Sequence, residues 1–428
     1  MVGPARRIRS VLGLSCLLCG KLYPAEEVDY VCPDHGGAAT LSVAYDYEYL
    51  ATLTSPEQIC GDPDSSIWRY RHLLPVHPEA DAPPLHVGGT PLLPARVLGE
   101  GLKVNLWVKD EGRQPTASLK DRASAMAILK AQEKGADIIT AASTGNAGAA
   151  LAALSAAAEI PSVIFVPATA PQPKVAQLLS FGATVALVNG SYHQAFDLCL
   201  WASEEYGWYN RNTGFNPYMT EGKKTVSYEI WEQLGSQVPD VVVVSVGDGS
   251  IIGGVHKGFS DLQKLGWTDR VPRLIGAQAA GSSYMVQAWK NAEDLMTKPP
   301  ILADTVADSI SADLPRDRFK AMAAVTDTGG AFVEVSDSQI LSAMVTMGQR
   351  MGVFAEPAAA AAMAGLRVAR WEGLVEEGER VVVISTGNGL KDIDAAMRAV
   401  TESGEGPLMV DPEIEALADR LAAHFLDT

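Results

Sequence analysis

The chain contains the run Pro115-Thr116-Ala117-Ser118-Leu119-Lys120-Asp121-Arg122, and further on it reads Ser143-Thr144-Gly145-Asn146. The first segment predicts a lysine in the opening turn of a helix, facing a loop of small polar residues that starts the next helix. That layout suits an amine that holds an aldehyde as a Schiff base, because burial readily lowers a lysine pKa and frees the nucleophile. The small-polar loop would receive a carboxylate. The competing reading is a solvated Lys-Asp-Arg triplet on an amphipathic surface helix.

Two glycine-rich loops downstream favour the first reading. A run of valines ends at Val244 and leads into Ser245-Val246-Gly247-Asp248-Gly249-Ser250-Ile251-Ile252-Gly253-Gly254, with a helical segment continuing through His256 and Phe259. Glycines let successive backbone N–H groups converge on one anion at the positive end of a helix, so this loop predicts a phosphate cradle. The alternative is a plain tight strand-to-helix connection. No Gly-Lys-Ser/Thr closes the loop, and it lacks a dinucleotide fingerprint. A second valine run ends in Ser385-Thr386-Gly387-Asn388-Gly389-Leu390-Lys391-Asp392. A hydroxyl there either hydrogen-bonds a ring nitrogen or caps a helix.

The elements that must position these loops alternate from about residue 100 onward. Apolar, β-rich runs cover 163–166, 185–188, 241–244, 274–275 and 381–384, several without polar alternation, as parallel strands covered on both faces require. Helical segments lie between them: one from Lys120 that stops at Gly135, and others over about 146–158, 173–180 and 192–205. The pattern predicts an open, wound α/β sheet, in which ligands sit outside the carboxyl ends of the strands.

Cysteines add a second candidate site. Cys16-Leu17-Leu18-Cys19 and Cys32-Pro33-Asp34-His35 are separated by a hairpin-length segment. Three thiolates and an imidazole at this spacing suit one tetrahedral Zn²⁺, the alternative being a ribbon that packs without metal. Cys60 and Cys199 stand alone and read as buried apolar fillers. With 428 residues, 47% hydrophobic and 20% charged, the chain is long enough for two or three structural units. A formal charge of −17 argues against a nucleic-acid partner, since phosphate-backbone affinity needs clustered Lys and Arg. No apolar run has the length of a membrane span. The basic start around Arg6 to Arg9 runs straight into Cys16 without a small-residue cleavage site, so the expected location is cytoplasmic.

Taken together, Gly88-Gly89-Thr90-Pro91-Leu92, the Lys120 motif, Ser143-Thr144-Gly145-Asn146, the Gly247 loop and Thr386-Gly387-Asn388-Gly389-Leu390-Lys391-Asp392 resemble pyridoxal-phosphate enzymes of the tryptophan synthase β fold (fold type II), and threonine synthase in particular. Their order spans about 85 to 400, and the Cys pairs with Tyr45-Asp46-Tyr47 look like the ribbon that precedes many members. The resemblance implies two wound, open parallel-sheet domains with the cofactor between them, plus a small N-terminal Cys-rich ribbon. The expected division is an extension over 1–95, a catalytic unit over 96–400 with a smaller subdomain at roughly 126–224, and a helical tail over 401–428. In that tail Ile414, Leu417, Leu421 and Phe425 recur at helical spacing. It implies a small amino-acid substrate and a homodimer.

The resemblance also implies roles. Lys120 holds the cofactor aldehyde and shuttles protons, and Asn146 meets the phenolic oxygen. Backbone N–H groups from Gly247, Asp248, Gly249, Ser250 and Ile251 hold the phosphate. Thr386, with Ser385 as the lesser choice, meets the pyridine nitrogen. Ser143, Thr144 and Gly145 grip the substrate carboxylate. The residues expected to bind substrate depart from the pattern: Ala147 replaces Thr, Gly214 replaces Ser, and Met219 replaces the phosphate-gripping Arg; in the cofactor-phosphate loop Asp248 replaces Asn, a charge beside the place of the substrate dianion. Ala117 for Gly and Leu119 for Phe are smaller changes. Replacing Arg with Met removes a bidentate, charge-assisted contact. The cofactor half of the site is thus kept and the substrate half rewritten.

The resulting expectation is β/γ-elimination or replacement on an amino acid, with a side-chain group that is neutral or cationic and not phosphorylated. The alternative is ordinary threonine synthase chemistry (O-phosphohomoserine and water to threonine and phosphate) with the clamp rebuilt from Arg211, Lys223 or Lys224. A hydroxy-amino-acid ammonia-lyase or racemase is a further reading, and a non-catalytic sensor or partner subunit is the reading from another class.

Overall fold

A computed structural model describes residues 8–143, 145–170, 172–404 and 406–412, together with 414, 417, 418 and 421. Three sheets organise the chain. The N-terminal sheet is antiparallel, in the order Leu22–Tyr23, Val11–Cys16, Gly36–Tyr45, Val31–Cys32. A smaller parallel sheet runs Tyr209–Asn210, Ile139–Ala142, Ser162–Pro167, Thr184–Val188. The larger sheet runs Ala331–Val335, Arg273–Ala279, Val241–Ser245, Arg380–Ser385, Asn105–Asp110, with Leu92–Pro94 added antiparallel at one edge. The architecture is two wound parallel sheets preceded by a Cys-bearing ribbon, as the sequence predicts. Among the described residues no helix is long and apolar enough to cross a membrane.

The unbroken valine runs follow from burial on both faces. Val242, Val244, Val382 and Ile384 enter one core with Ile252, Val255 and Phe259 of the helix Ser250–Lys264. Val241, Val243, Val381 and Val383 enter a second core with Ala358 to Leu366 of the helix Pro357–Trp371. Alternate side chains thus leave the sheet on opposite sides, and both sides are covered. Each such valine contributes about 1.5–3 kcal/mol relative to an exposed one. The helices Lys120–Glu133, Asn146–Ala157, Gln172–Ser180 and Tyr192–Tyr206 fall where periodicity and Gly/Pro punctuation place them.

One expectation needs amending here. Cys199 is buried, but Cys60 is exposed. It ends the five-residue helix Pro56–Cys60, whose buried residue is Ile59, so the neighbouring thiol faces outward. Of the predicted C-terminal helix, Phe425 lies outside the described residues, and Ile414, Leu417 and Leu421 are exposed.

Candidate functional site

The Lys120 motif is not a solvated helix face. Asp121 turns back to cap its own loop, accepting from the Thr116 N–H at 2.7 Å and from the Thr116 hydroxyl. Arg122 is wholly buried and reaches Glu111 and Glu229 with its Nε and both Nη groups, at 2.7–2.8 Å. Lys109 closes this group by donating to Glu229 at 2.7 Å, and Glu229 also receives the Gly89 N–H at 3.0 Å. The Gly88-Gly89-Thr90 turn and the start of the Lys120 helix are therefore fixed to one buried network.

A short antiparallel zipper completes the positioning. The Leu119 N–H donates to the Thr386 carbonyl at 2.9 Å, and the Asn388 N–H donates to the Ala117 carbonyl at 3.0 Å. Ala117 adopts the left-handed conformation, φ 62°. This pairing fastens the loop after the strand Arg380–Ser385 to the residues just before Lys120, so Lys120 and Thr386 face one cavity.

That cavity has a volume of about 510 Å³, and its wall includes Lys120, Ser143, Gly145, Asn146, Ala147 and Thr386. Gly247, Asp248, Gly249, Ser250 and Ile251 form another part of the wall. Thr144 lies outside the described residues. Two helix N-termini open onto this space, those of Asn146–Ala157 and Ser250–Lys264, and neither has a side-chain cap. Their first-turn N–H groups and the helix dipoles favour anions. The second begins at Gly249, whose φ of 91° only glycine adopts readily.

Three buried or part-buried cations converge on the same cavity: Lys120, Lys223 and Arg211. Among the described residues none of the three has a carboxylate oxygen within ion-pair distance. Enclosure holds the Lys120 amine below the ordinary lysine range, opposed by Glu356 and assisted by Arg211. Burial, and then Lys120 and Arg211, hold Lys223 well below it. Burial, together with Asp317, pushes Asp248 up to about 6. An excess of unpaired cations beside two uncapped helix termini fits ligands that are themselves anionic.

Glu356 is a site residue that the motifs do not mark. It precedes Pro357 at the start of a buried, alanine-rich helix, lines the cavity and receives Asn146 Nδ2 on both carboxylate oxygens, at 2.8 and 3.0 Å. Burial pushes its carboxyl up from the ordinary range. The Glu-Pro pair after Val353-Phe354-Ala355 is the only local signal for it.

The remaining predicted positions separate. Met219 is absent from the cavity wall and fully buried in the apolar core. Gly214 is also absent from the wall. At φ 69° it abuts Arg316, and a Cβ there would fall 2.3 Å from Arg316 Cβ. The Gly214 and Asp248 substitutions are linked, because Asp248 Oδ1 accepts the Arg316 N–H at 2.7 Å. Lys224 is held by Asp261 and Glu221 in the interior, both at 2.7 Å, away from the cavity. Ser385 is buried with an unpartnered hydroxyl outside the wall, leaving Thr386 as the hydroxyl that faces the cavity.

Residues 84–387 match the family described as pyridoxal-phosphate dependent enzyme. The chain belongs to that family. It is 36% identical over 405 residues to a threonine synthase of Methanocaldococcus jannaschii, covering 94% of this chain and 97% of that one. To a threonine synthase of Methanosarcina acetivorans it is 37% identical over 411 residues, covering 95% and 98%. Among solved structures, threonine deaminase isoform 2 of Solanum lycopersicum superposes with a TM-score of 0.63 at 24% identity, over 74% of this chain and 88% of that one. The chain is thus a threonine-synthase-like, pyridoxal-phosphate-dependent enzyme of fold type II.

In the N-terminal ribbon, Cys16, Cys19, Cys32 and His35 bring their ligand atoms within 4.8 Å of one another. Cys16 Sγ lies 3.7 Å from His35 Nδ1, Cys32 Sγ lies 3.5 Å from it, and the Cys19 and Cys32 sulfurs are 4.0 Å apart.

Proposed function

We propose that this protein is a lyase or synthase of the threonine synthase type, cleaving a carbon–oxygen bond of an amino acid by elimination or replacement at the β or γ carbon. One observation carries the reading: Lys120 shares a cavity with two uncapped helix N-termini, Asn146 and Thr386. When bound, pyridoxal phosphate supplies an electron sink for a carbanion at the substrate α-carbon.

The chain's own groups do the rest. Lys120 would hold the cofactor through its amine and would take up the substrate α-proton; enclosure, which lowers its pKa, favours the neutral amine this needs. The N–H groups of Gly247, Asp248, Gly249, Ser250 and Ile251 hold the cofactor phosphate. Lys223, which donates to the Ser250 hydroxyl at 2.6 Å, supplies a cation beside them. Asn146, oriented by Glu356, serves the phenolic oxygen, and Thr386 serves the pyridine nitrogen. The loop Ser143, Thr144 and Gly145 receives the α-carboxylate at the dipole of the helix Asn146–Ala157.

Cys16, Cys19, Cys32 and His35 hold a structural zinc. Their spacing suits a tetrahedron whose edges are about 3.8 Å for zinc–sulfur bonds of about 2.3 Å.

The test is phosphate release from O-phospho-L-homoserine by the purified holoprotein, with amino-acid product analysis alongside. Phosphate and threonine formed together identify threonine synthase chemistry. Lys120→Ala is expected to abolish both turnover and the visible absorbance of the lysine-bound cofactor; retained turnover refutes the assignment.

A further inference from the structure

The N-terminal ribbon makes a contact with the catalytic body that the reading above leaves unused. Its long strand Gly36–Tyr45 begins directly after His35. Thr40, buried on that strand, donates its hydroxyl to the carboxylate of Asp317. Further along, the Val43 carbonyl receives Lys257 Nζ at 2.8 Å, and the Tyr45 hydroxyl donates to Glu221 at 2.6 Å. Lys257 and Glu221 lie on the helices Ser250–Lys264 and Tyr218–Gln233, which also carry Ser250 and Lys223.

Asp317 links this strand to the phosphate loop. It occupies the N-cap position of the helix Arg318–Thr326, yet its side chain makes no cap bond there. Its N–H donates to the Asp248 carbonyl at 2.9 Å, and its own carbonyl lies so close to Gly249 that a Cβ there would fall 2.8 Å away. Burial opposes its charge, but Lys320, the Thr40 hydroxyl, Lys223 and the Ser250 hydroxyl together hold the carboxyl below its ordinary range. Lys223 and Ser250, bonded to each other at 2.6 Å, are the polar side chains nearest the proposed phosphate position. A buried carboxylate deprived of its donor from the ribbon would engage those two groups more fully and draw them off the phosphate.

The thiol cluster grips the same strand at the same point. Thr40 pairs with Val31, the neighbour of Cys32, and Leu41 pairs with Cys16. Cluster residues thus stand on both strands that flank 40–41, and the cluster fixes the register that presents Thr40. A slip of one residue would turn Thr40 to the opposite face.

We propose that Thr40 is a positioning residue for the cofactor-phosphate loop, acting through Asp317, and that the cluster of Cys16, Cys19, Cys32 and His35 is coupled to cofactor affinity through it. The inference rests on the proposed placement of the cofactor phosphate at Gly247 to Ile251.

The test is equilibrium binding of pyridoxal phosphate, and of pyridoxal, which lacks the phosphate, to the full chain stripped of cofactor, read from the lysine-bound absorbance. Thr40→Val, nearly equal in shape, should weaken pyridoxal phosphate on the order of 10-fold and leave pyridoxal within about 2-fold. Thr40→Ser keeps the hydroxyl and should restore most of the affinity. Cys32→Ser opens the cluster; it should weaken pyridoxal phosphate in the same direction and add little to Thr40→Val, because both act on one contact. Circular dichroism of each variant establishes that folded chains are compared. Unchanged or tighter pyridoxal phosphate binding in Thr40→Val, an equal loss for pyridoxal, or strict additivity with Cys32→Ser overturns the proposal. A wild type that binds pyridoxal as tightly as pyridoxal phosphate would instead overturn the phosphate-loop reading beneath it.

Discussion

The buried tetrad Lys109, Glu111, Arg122 and Glu229 makes the strongest energetic claim in the molecule. Its two cations and two anions are neutral as a set, and all four side chains are 0–2% exposed. Glu229 accepts from Arg122 Nη1 at 2.7 Å and Nη2 at 2.8 Å, from Lys109 at 2.7 Å, and from the Gly89 N–H at 3.0 Å. Burial opposes the charge on Glu229, but Arg122 and Lys109 hold its carboxyl far below the ordinary range. Glu229→Gln keeps the shape and leaves one uncompensated positive charge, with an amide N–H directed at a cation. Breaking one side of such a pair costs about 3–5 kcal/mol, a large share of the roughly 5–15 kcal/mol that holds a domain folded. Urea unfolding followed by circular dichroism and by cofactor absorbance should show the loss, with the cofactor signal falling at lower urea because the Gly89 turn and the Lys120 helix share the network. Adding Lys109→Met restores neutrality and should recover about 1–2 kcal/mol relative to the sum of the single variants. A loss below about 1 kcal/mol for Glu229→Gln, or strict additivity in the double variant, would refute the claim that the tetrad acts as a neutral unit.

Two further outcomes follow from local geometry. Ala117 occupies a left-handed conformation, φ 62°, so Ala117→Gly should stabilise the protein by about 0.5–1 kcal/mol; a lower melting temperature would show that the methyl group matters more than the strain. The purified protein should carry one zinc per chain, lost in Cys32→Ser, and the ribbon should then unfold at a lower temperature than the catalytic body. Metal analysis that finds none in the wild type removes the zinc assignment.

The fold and the Lys120 site were legible because they leave continuous or punctuated patterns. Val241 to Val244 and Val381 to Val383 can only be strands covered on both faces, and glycine-rich loops at their ends mark where ligands enter. Glu356 was not legible, because the helix it precedes is buried over most of its length. A run such as Ala358 to Ala362 carries no amphipathic period, and a lone carboxylate before a proline has no fixed meaning until the fold brings it to Asn146. Met219 misleads for a related reason. A motif position gives a residue type, whereas the helix Tyr218–Gln233 is enclosed nearly all round, so chain position does not say which side chains reach the cavity. Met219 joins the core, and Lys223, one turn on, reaches Ser250.

Net charge misleads in the same way. A net charge of −17 argues against a nucleic-acid partner, yet among the described residues the cavity gathers Lys120, Lys223 and Arg211 without paired carboxylates. An overall acidic surface and a locally positive interior are compatible because screening separates them over about 8–10 Å of salt solution, while buried charges act at short range. The local sign, set by which cations the fold leaves unpaired, selects the ligand. On that ground the loss of one arginine from the motif does not by itself remove positive charge from the cavity, where Lys120, Lys223 and Arg211 remain.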